Sequence, residues 1–353
     1  MTSTSDVPAR PNQLTVNFLQ NILQDSYPSH RVINFKWEPM NLGVIADVVI
    51  ITVEIESKGE NDKAKRMKIR LVGKFMRLEI PFESMFVVES NFYKAFAAKT
   101  GDLGVKISAA LDDFPFAIPA ATFASSKLII LDYVEPVRTY TCVEGSPQHM
   151  ISMLVTKLAQ MHARYWNHSC NGLATPAGIG SQLTGEEKRL QFPSCWKVYL
   201  NDVSLESSDM ARIIVLCQRL SQNPNLLERV HEMVESGPSC FIHGDFHIAN
   251  MLLPTDDTED ERTWLLDWAT CGRGNPMRDL AFFFIVSVKA IHRRAQEAQC
   301  QQKYFDTLTA EIEAVHFTMD ELRWQYKVEA SRRVGFTLSR SQSPHVLEFA
   351  GQH

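Results

Sequence analysis

His243-Gly244-Asp245-Phe246-His247-Ile248-Ala249-Asn250 is the stretch on which the reading of this chain turns. Apolar Cys240-Phe241-Ile242 leads into it and Met251-Leu252-Leu253 leads out. A polar, acidic loop from Asp256 to Arg262 follows, then a second apolar run, Trp264-Leu265-Leu266, that ends on Asp267. The pattern predicts a loop carrying Asp245 and Asn250, then a short hairpin that returns Asp267 beside them. Two carboxylates and an amide oxygen would then converge. Phosphoryl transfer needs such a set: Asp245 to orient a hydroxyl and take its proton, and the Asn250 oxygen with the Asp267 carboxylate to hold Mg²⁺ on the phosphates.

The rest of the composition narrows the class. With 353 residues, 45% of them hydrophobic and 22% charged, the chain can bury the core of one large domain or of two lobes. A net charge of −5 and the lack of a Lys/Arg stripe interleaved with aromatics argue against a nucleic-acid partner. The seven cysteines stand singly, with no Cys-x-x-Cys, which fits a reducing compartment. The first residues lack an apolar signal core, and the longest apolar runs, Val48–Val53 and Leu280–Val288, are too short to span a bilayer. The expectation is a soluble, cytoplasmic protein.

Periodicity sets out the elements. Residues 1–10 read as a disordered tail, and Leu14, Phe18, Leu19, Ile22 and Leu23 then recur at helical spacing. Arg31–Trp37, Asp47–Glu56 and Met67–Met76 read as strands, with Ser57–Lys65 as a polar hairpin loop. Phe82–Lys99 reads as a helix, and Pro115–Phe123 and Lys127–Tyr133 as two further strands of the same sheet. His149–His168 is a long helix, and helices are expected across Thr184–Val234 and from Ala281 towards Leu338. On the expected strand Met67–Met76 the parity of Lys74 is shared by Lys68 and Arg70, so periodicity alone does not choose among them.

The spacing carries a resemblance. The protein-kinase catalytic loop places Asn five residues after its Asp, and Asn250 follows Asp245 by the same interval. His243-Gly244-Asp245-x-x-x-x-Asn250, an apolar strand ending in Asp267-Trp268, and Pro276-Met277-Arg278-Asp279-Leu280-Ala281 together resemble the aminoglycoside-phosphotransferase and choline-kinase superfamily. Within it the chain looks most like the ecdysteroid-kinase-like and choline-kinase-like branch. The resemblance covers most of residues 40–290 and is specific in 241–281. It implies that Lys74 pairs with the phosphates and with Glu89, which lies in Glu89-Ser90-Asn91-Phe92-Tyr93, with Glu83 as the rival carboxylate. It implies that Gly43 sits where a phosphate-covering loop would, although a Gly-x-Gly-x-x-Gly is absent. Leu131 and Tyr133 would lie at a hinge where backbone groups read adenine. Asp267 would match the metal-binding Asp of a kinase Asp-Phe-Gly. His243 and Asp279 would be structural, packing and fixing the loop, and His162 a buried, hydrogen-bonded structural histidine.

The expected fold is α+β: a two-lobe, protein-kinase-like fold whose small N-lobe (11–135) holds an antiparallel sheet and whose larger C-lobe (136–340) is mostly helical, flanked by tails at 1–10 and 341–353. ATP and Mg²⁺ are the expected cofactors. The expected partner is a small molecule bearing a hydroxyl: an amino alcohol, an aminoglycoside-like sugar or a steroid-like alcohol. Phe192, Trp196 and Tyr199 favour an acceptor with an apolar body. The tight succession Gly272, Gly274, Pro276 leaves no room for a protein-kinase activation segment, which argues against protein substrates. A pseudokinase acting as a nucleotide-binding regulatory protein stays open as the alternative.

Overall fold

The computed structural model describes residues 7–40, 45–57, 65–77, 79, 83–97, 114–167, 215, 218–219, 222–223, 225–255, 262–313 and 317–340. Among these the chain divides into two compact units. The first takes everything to Thr141 together with Ala249–Gly272, and the second takes residues from Cys142 to Ile248 and from Arg273 onward.

The first unit is built on an antiparallel five-stranded sheet in the order β1-β2-β3-β5-β4. Its strands are β1 (His30–Pro39), β2 (Ala46–Ser57), β3 (Arg66–Met76), β4 (Ala121–Ala124) and β5 (Leu128–Asp132). Alternation in β2 buries Val49, Ile51, Val53 and Ile55 on one face, as a period of two dictates. Helix α1 (Val16–Leu23) closes that face with Phe18, Leu19 and Leu23. Its start is set by Thr15, whose hydroxyl accepts the Phe18 N–H at 3.1 Å, satisfying a donor the helix leaves unpaired. Helix α2 (Glu83–Phe96) buries Phe86, Glu89, Phe92, Tyr93 and Phe96. The hairpin expected around the acidic loop is present: β7 (Met251–Leu252) pairs antiparallel with β8 (Trp264–Leu265).

Two expectations fail here. Of the expected strand 115–123 only the end from Ala121 joins the sheet, in a strand that runs to Ala124, while Ala117 makes an isolated bridge to Trp264. Pro115 and Pro119 lack the N–H that a ladder requires, which keeps the first part out. Residues 7–10, read as part of a disordered tail, have defined positions: Val7 packs against the sheet core and Arg10 pairs with Glu79 at 2.9 Å.

The second unit is mostly helical: α3 (Gln148–Arg164), α4 (Asn225–Glu235), α5 (Met277–Ser287), α6 (Ala290–Glu311) and α7 (Met319–Arg340). Helix α3 packs along α6, and α5 along α7. Helix α5 is apolar nearly all round and buries Leu280, Ala281, Phe283 and Phe284, the mark of a central helix. Strand β6 (Cys240–Ile242) pairs with β9 (Gly272–Gly274). A Cβ at Gly274 would meet the Ile242 Cδ1 at 2.5 Å, so this approach requires glycine. Among the described residues no helix is long and apolar enough to cross a membrane.

Candidate active site

The expected residues fall into one group in each unit. In the first, Lys74 lies on β3 with its cross-strand neighbour Ile129 on β5. Its ammonium donates to both Glu89 oxygens, at 2.5 and 2.7 Å, and stands 3.7 Å from an Asp267 carboxylate oxygen. The Lys74 and Glu89 side chains are 13% and 0% exposed. The rivals are elsewhere: Lys68, 68% exposed, pairs with Glu54, Arg70 pairs with Glu135, and Glu83 is in solvent. Burial works against charge on Lys74, but the carboxylates of Asp267 and Glu89 outweigh it and hold the lysine above its ordinary range. Burial lifts the Glu89 carboxyl to about 7, with Lys74 pulling it down and Asp267 pushing it up.

Asp267 follows β8 with φ +60°, in the left-handed region. Asp tolerates that conformation better than most residues, and strained positions of this kind gather at functional sites. Trp268 anchors it. The indole is fully buried, stacks on Phe92 with ring centroids 4.0 Å apart, and donates Nε1–H to the Leu265 carbonyl at 3.1 Å. The hairpin brings Asn250 to the same end: its carbonyl accepts the Leu266 N–H at 2.8 Å, one residue before Asp267.

Leu131 is buried in β5 opposite Val72. The Tyr133 N–H is already given to the Arg70 carbonyl at 3.2 Å, and its ring lies under the Arg70 guanidinium at 3.8 Å. The Tyr133 N–H is therefore already engaged within the sheet. Gly43 lies outside the described residues, as do Phe192, Trp196 and Tyr199.

The second unit carries Asp245, His243 and Asp279. Asp279, on α5, is fully buried and accepts the His243 N–H at 2.7 Å and the Gly244 N–H at 2.8 Å. The buried His162 of α3 joins it, with Nε2 at 3.3 Å from Asp279 and Nδ1 at 2.6 Å from the Tyr304 hydroxyl on α6. Burial opposes ionisation of Asp279, but the hydrogen bond and charge of His162 and the His243 N–H outweigh it and keep the carboxylate below its usual range. Gly244 has φ +83°, which a side chain at this position would strain. The His243 ring is buried and accepts the Asp245 N–H at Nδ1, 3.2 Å away. The start of the loop is thus held by a buried carboxylate wired to two further helices.

Sequence reasoning assigned no role to His247 or Cys142. His247 Nε2 lies 3.3 Å from Asp245 Oδ2, and its Nδ1 lies 3.8 Å from the Cys142 sulfur. Burial opposes charge on this imidazole, but Asp245 and then Cys142 raise it to about 10. The one available signal was the two-residue step from Asp245 to His247; nothing in the sequence announced Cys142, 105 residues away. Tyr304 was likewise unannounced.

The Lys74–Glu89 pair makes a direct prediction. Lys74→Ala and Glu89→Ala each cost activity, and the double variant loses less than the two losses combined, because the residues act as one unit. Full additivity in steady-state kinetics would separate them.

The sequence profile of the ecdysteroid kinase-like family matches residues 191–317, a little over a third of the chain. No curated protein matches the sequence. Among solved structures, choline kinase from Cryptosporidium parvum Iowa II is similar at a TM-score of 0.50 and 8% identity, over 95% of this chain and 97% of that one. Ethanolamine kinase from Plasmodium vivax is similar at a TM-score of 0.51 and 8% identity, over 96% and 83%. Likeness at that identity speaks to the fold alone. Residues 191–317 thus match the ecdysteroid kinase-like profile, and the α+β fold is similar to that of these two kinases.

Proposed function

We propose that this enzyme, a small-molecule kinase, transfers the γ-phosphoryl group of ATP to a hydroxyl of a small acceptor. The observation that carries the reading is the buried Lys74–Glu89 pair with the Asp267 carboxylate beside it. A largely desolvated Lys–Glu pair is a poor device for stability, since a packed apolar pair would serve as well. It is a good device for presenting an ammonium to phosphate oxygens.

The donor set fits magnesium: a partly exposed carboxylate, Asp267, and an amide, Asn250, at one end of the hairpin, both hard oxygen donors. Asn250 and Asp267 would hold the ion, which when bound neutralises charge on the phosphates. Lys74 binds phosphate oxygens and is kept in place by Glu89. Leu131 and the Tyr133 carbonyl border the base, and Gly43 is assigned to the covering loop. Asp245 orients the acceptor hydroxyl and takes its proton as the oxygen–phosphorus bond forms and the bond to the ADP oxygen breaks. His243 and Asp279 hold the loop. In this reading residues 11–135 form the nucleotide-covering lobe and residues 136–340 the acceptor lobe. Seven unpaired-spacing cysteines, of which Cys142, Cys240, Cys271 and Cys300 are free thiols, favour the cytoplasm as the place of action.

The family is named for ecdysteroids, and the two structural relatives for choline and ethanolamine. Both a steroid alcohol and an amino alcohol are therefore in scope, and the reading is tested on both, with an aminoglycoside added. Incubation with Mg·ATP and each acceptor should add the mass of one phosphoryl group to at least one of them. Nucleotide-dependent thermal stabilisation with no transfer to any acceptor would favour the regulatory alternative. Salt then sorts the acceptors: KM for a cationic amino alcohol rises with ionic strength, whereas KM for a neutral alcohol does not.

A further inference from the structure

Three groups in the second unit surround one imidazole. His247 Nε2 meets Asp245 Oδ2 at 3.3 Å, the Cys142 sulfur lies 3.8 Å from Nδ1, and the Phe282 ring of α5 stands edge-on at a centroid distance of 5.8 Å. The backbone just beyond is pinned as well, because the Ile248 N–H donates to the buried Ser287 hydroxyl at 2.8 Å. The His247 side chain is 16% exposed and that of Asp245 35%. The ring is thus enclosed, while the carboxylate it touches still opens to solvent.

We propose that His247 is a positioning residue for Asp245, fixing the plane and offsetting the charge of the carboxylate that meets the acceptor hydroxyl. This rests on the phosphotransferase reading above. Two physical arguments lead to it. The terminal torsion of an Asp side chain is broad and roughly two-fold, so a carboxylate that must meet a hydroxyl in one orientation needs an outside hold. Phosphoryl transfer also brings the acceptor hydroxyl up to a negatively charged phosphate. A bare carboxylate there repels the phosphates, whereas a carboxylate paired with an imidazolium at hydrogen-bond distance is close to neutral. Cys142 and Phe282 keep the ring from turning away, and Cys142 supplies the partner for the nitrogen that Asp245 does not use.

Three variants and one spectrum test it. His247→Leu removes both donor and charge and should lower kcat at least about 10-fold, while KM for ATP and for the acceptor stay within about threefold. His247→Gln keeps a donor and should recover most of that loss. A merely structural role predicts the opposite pattern: a lower Tm, an unchanged kcat and no difference between Leu and Gln. Imidazole ¹⁵N spectra of the whole protein at about pH 8, where an ordinary histidine is neutral, should show both His247 nitrogens protonated in the wild type and a neutral ring in Asp245→Asn. A neutral His247 in the wild type, or full kcat in His247→Leu, overturns the proposal. If the wild type transfers phosphate to none of the alcohols, the phosphotransferase reading falls separately, and the spectra decide the pairing of His247 with Asp245 without it.

Discussion

Replacing Asp245 by Asn lowers phosphoryl transfer at least about 10²-fold, the low end of a general-base contribution, and leaves nucleotide affinity within a few-fold. The substitution is nearly isosteric and keeps one carbonyl-type acceptor, so the loop that His243 and Asp279 hold at its start is undisturbed. The loss would be chemical: an amide cannot take the proton of an acceptor hydroxyl. Asp267→Asn is the matched comparison. It should abolish transfer equally but weaken Mg·ATP, since the ion loses its carboxylate. The φ of +60° at Asp267 makes the comparison clean, because Asn enters the left-handed region as readily as Asp. Kinetics for transfer and calorimetric titration for Mg·ATP binding separate the two. Near-normal turnover in either variant, or the same weakening of nucleotide in both, removes the division of labour between them.

The second large effect falls on folding. Asp279→Asn puts an N–H₂ where one carboxylate oxygen accepted, facing either the His243 or the Gly244 N–H. One buried backbone donor is then left unsatisfied and His162 loses its charged partner. Breaking one member of a fully buried, hydrogen-bonded charge network costs about 3 kcal/mol or more. Transfer should fall too, since the loop that presents Asp245 begins at these two amides. Differential scanning calorimetry should show the lowered midpoint, and hydrogen exchange should show faster exchange at His243 and Gly244. An unchanged midpoint with both amides still protected would mean that the carboxylate is dispensable to the loop.

The order of the loop, the hairpin and Asp267 could be read from sequence because each rests on neighbours a few residues away. So could the sheet, since its first strands are rich in Val and Ile and alternate in part. Lys74 was harder: Lys68 and Arg70 share its parity, and depth along the strand, which no period reports, separates a 13% exposed lysine from a 68% exposed one. The strand expected at 115–123 misled because its apolar content outweighed Pro115 and Pro119 in the reading, whereas in the sheet a missing donor outweighs hydrophobicity. Tyr304 and Cys142 could not be found at all. Each reaches its histidine across more than a hundred residues, and a single tyrosine or cysteine leaves no periodic trace.

The excursion of Ala249–Gly272 into the first unit bears on how the chain is made. As synthesis proceeds, the sheet, α1 and α2 leave the ribosome early, yet the residues that finish their packing come last. Until Trp268 emerges, Phe92 lacks its stacking contact with the indole and the buried Glu89 lacks the Trp268 N–H and the neighbouring Asp267. Completion of the amino-terminal half therefore waits for more than a hundred residues of the other half to be translated. A nascent chain stalled near residue 141 would hold an open aromatic face, the kind of surface that chaperones bind, and release from them should coincide with translation past residue 272.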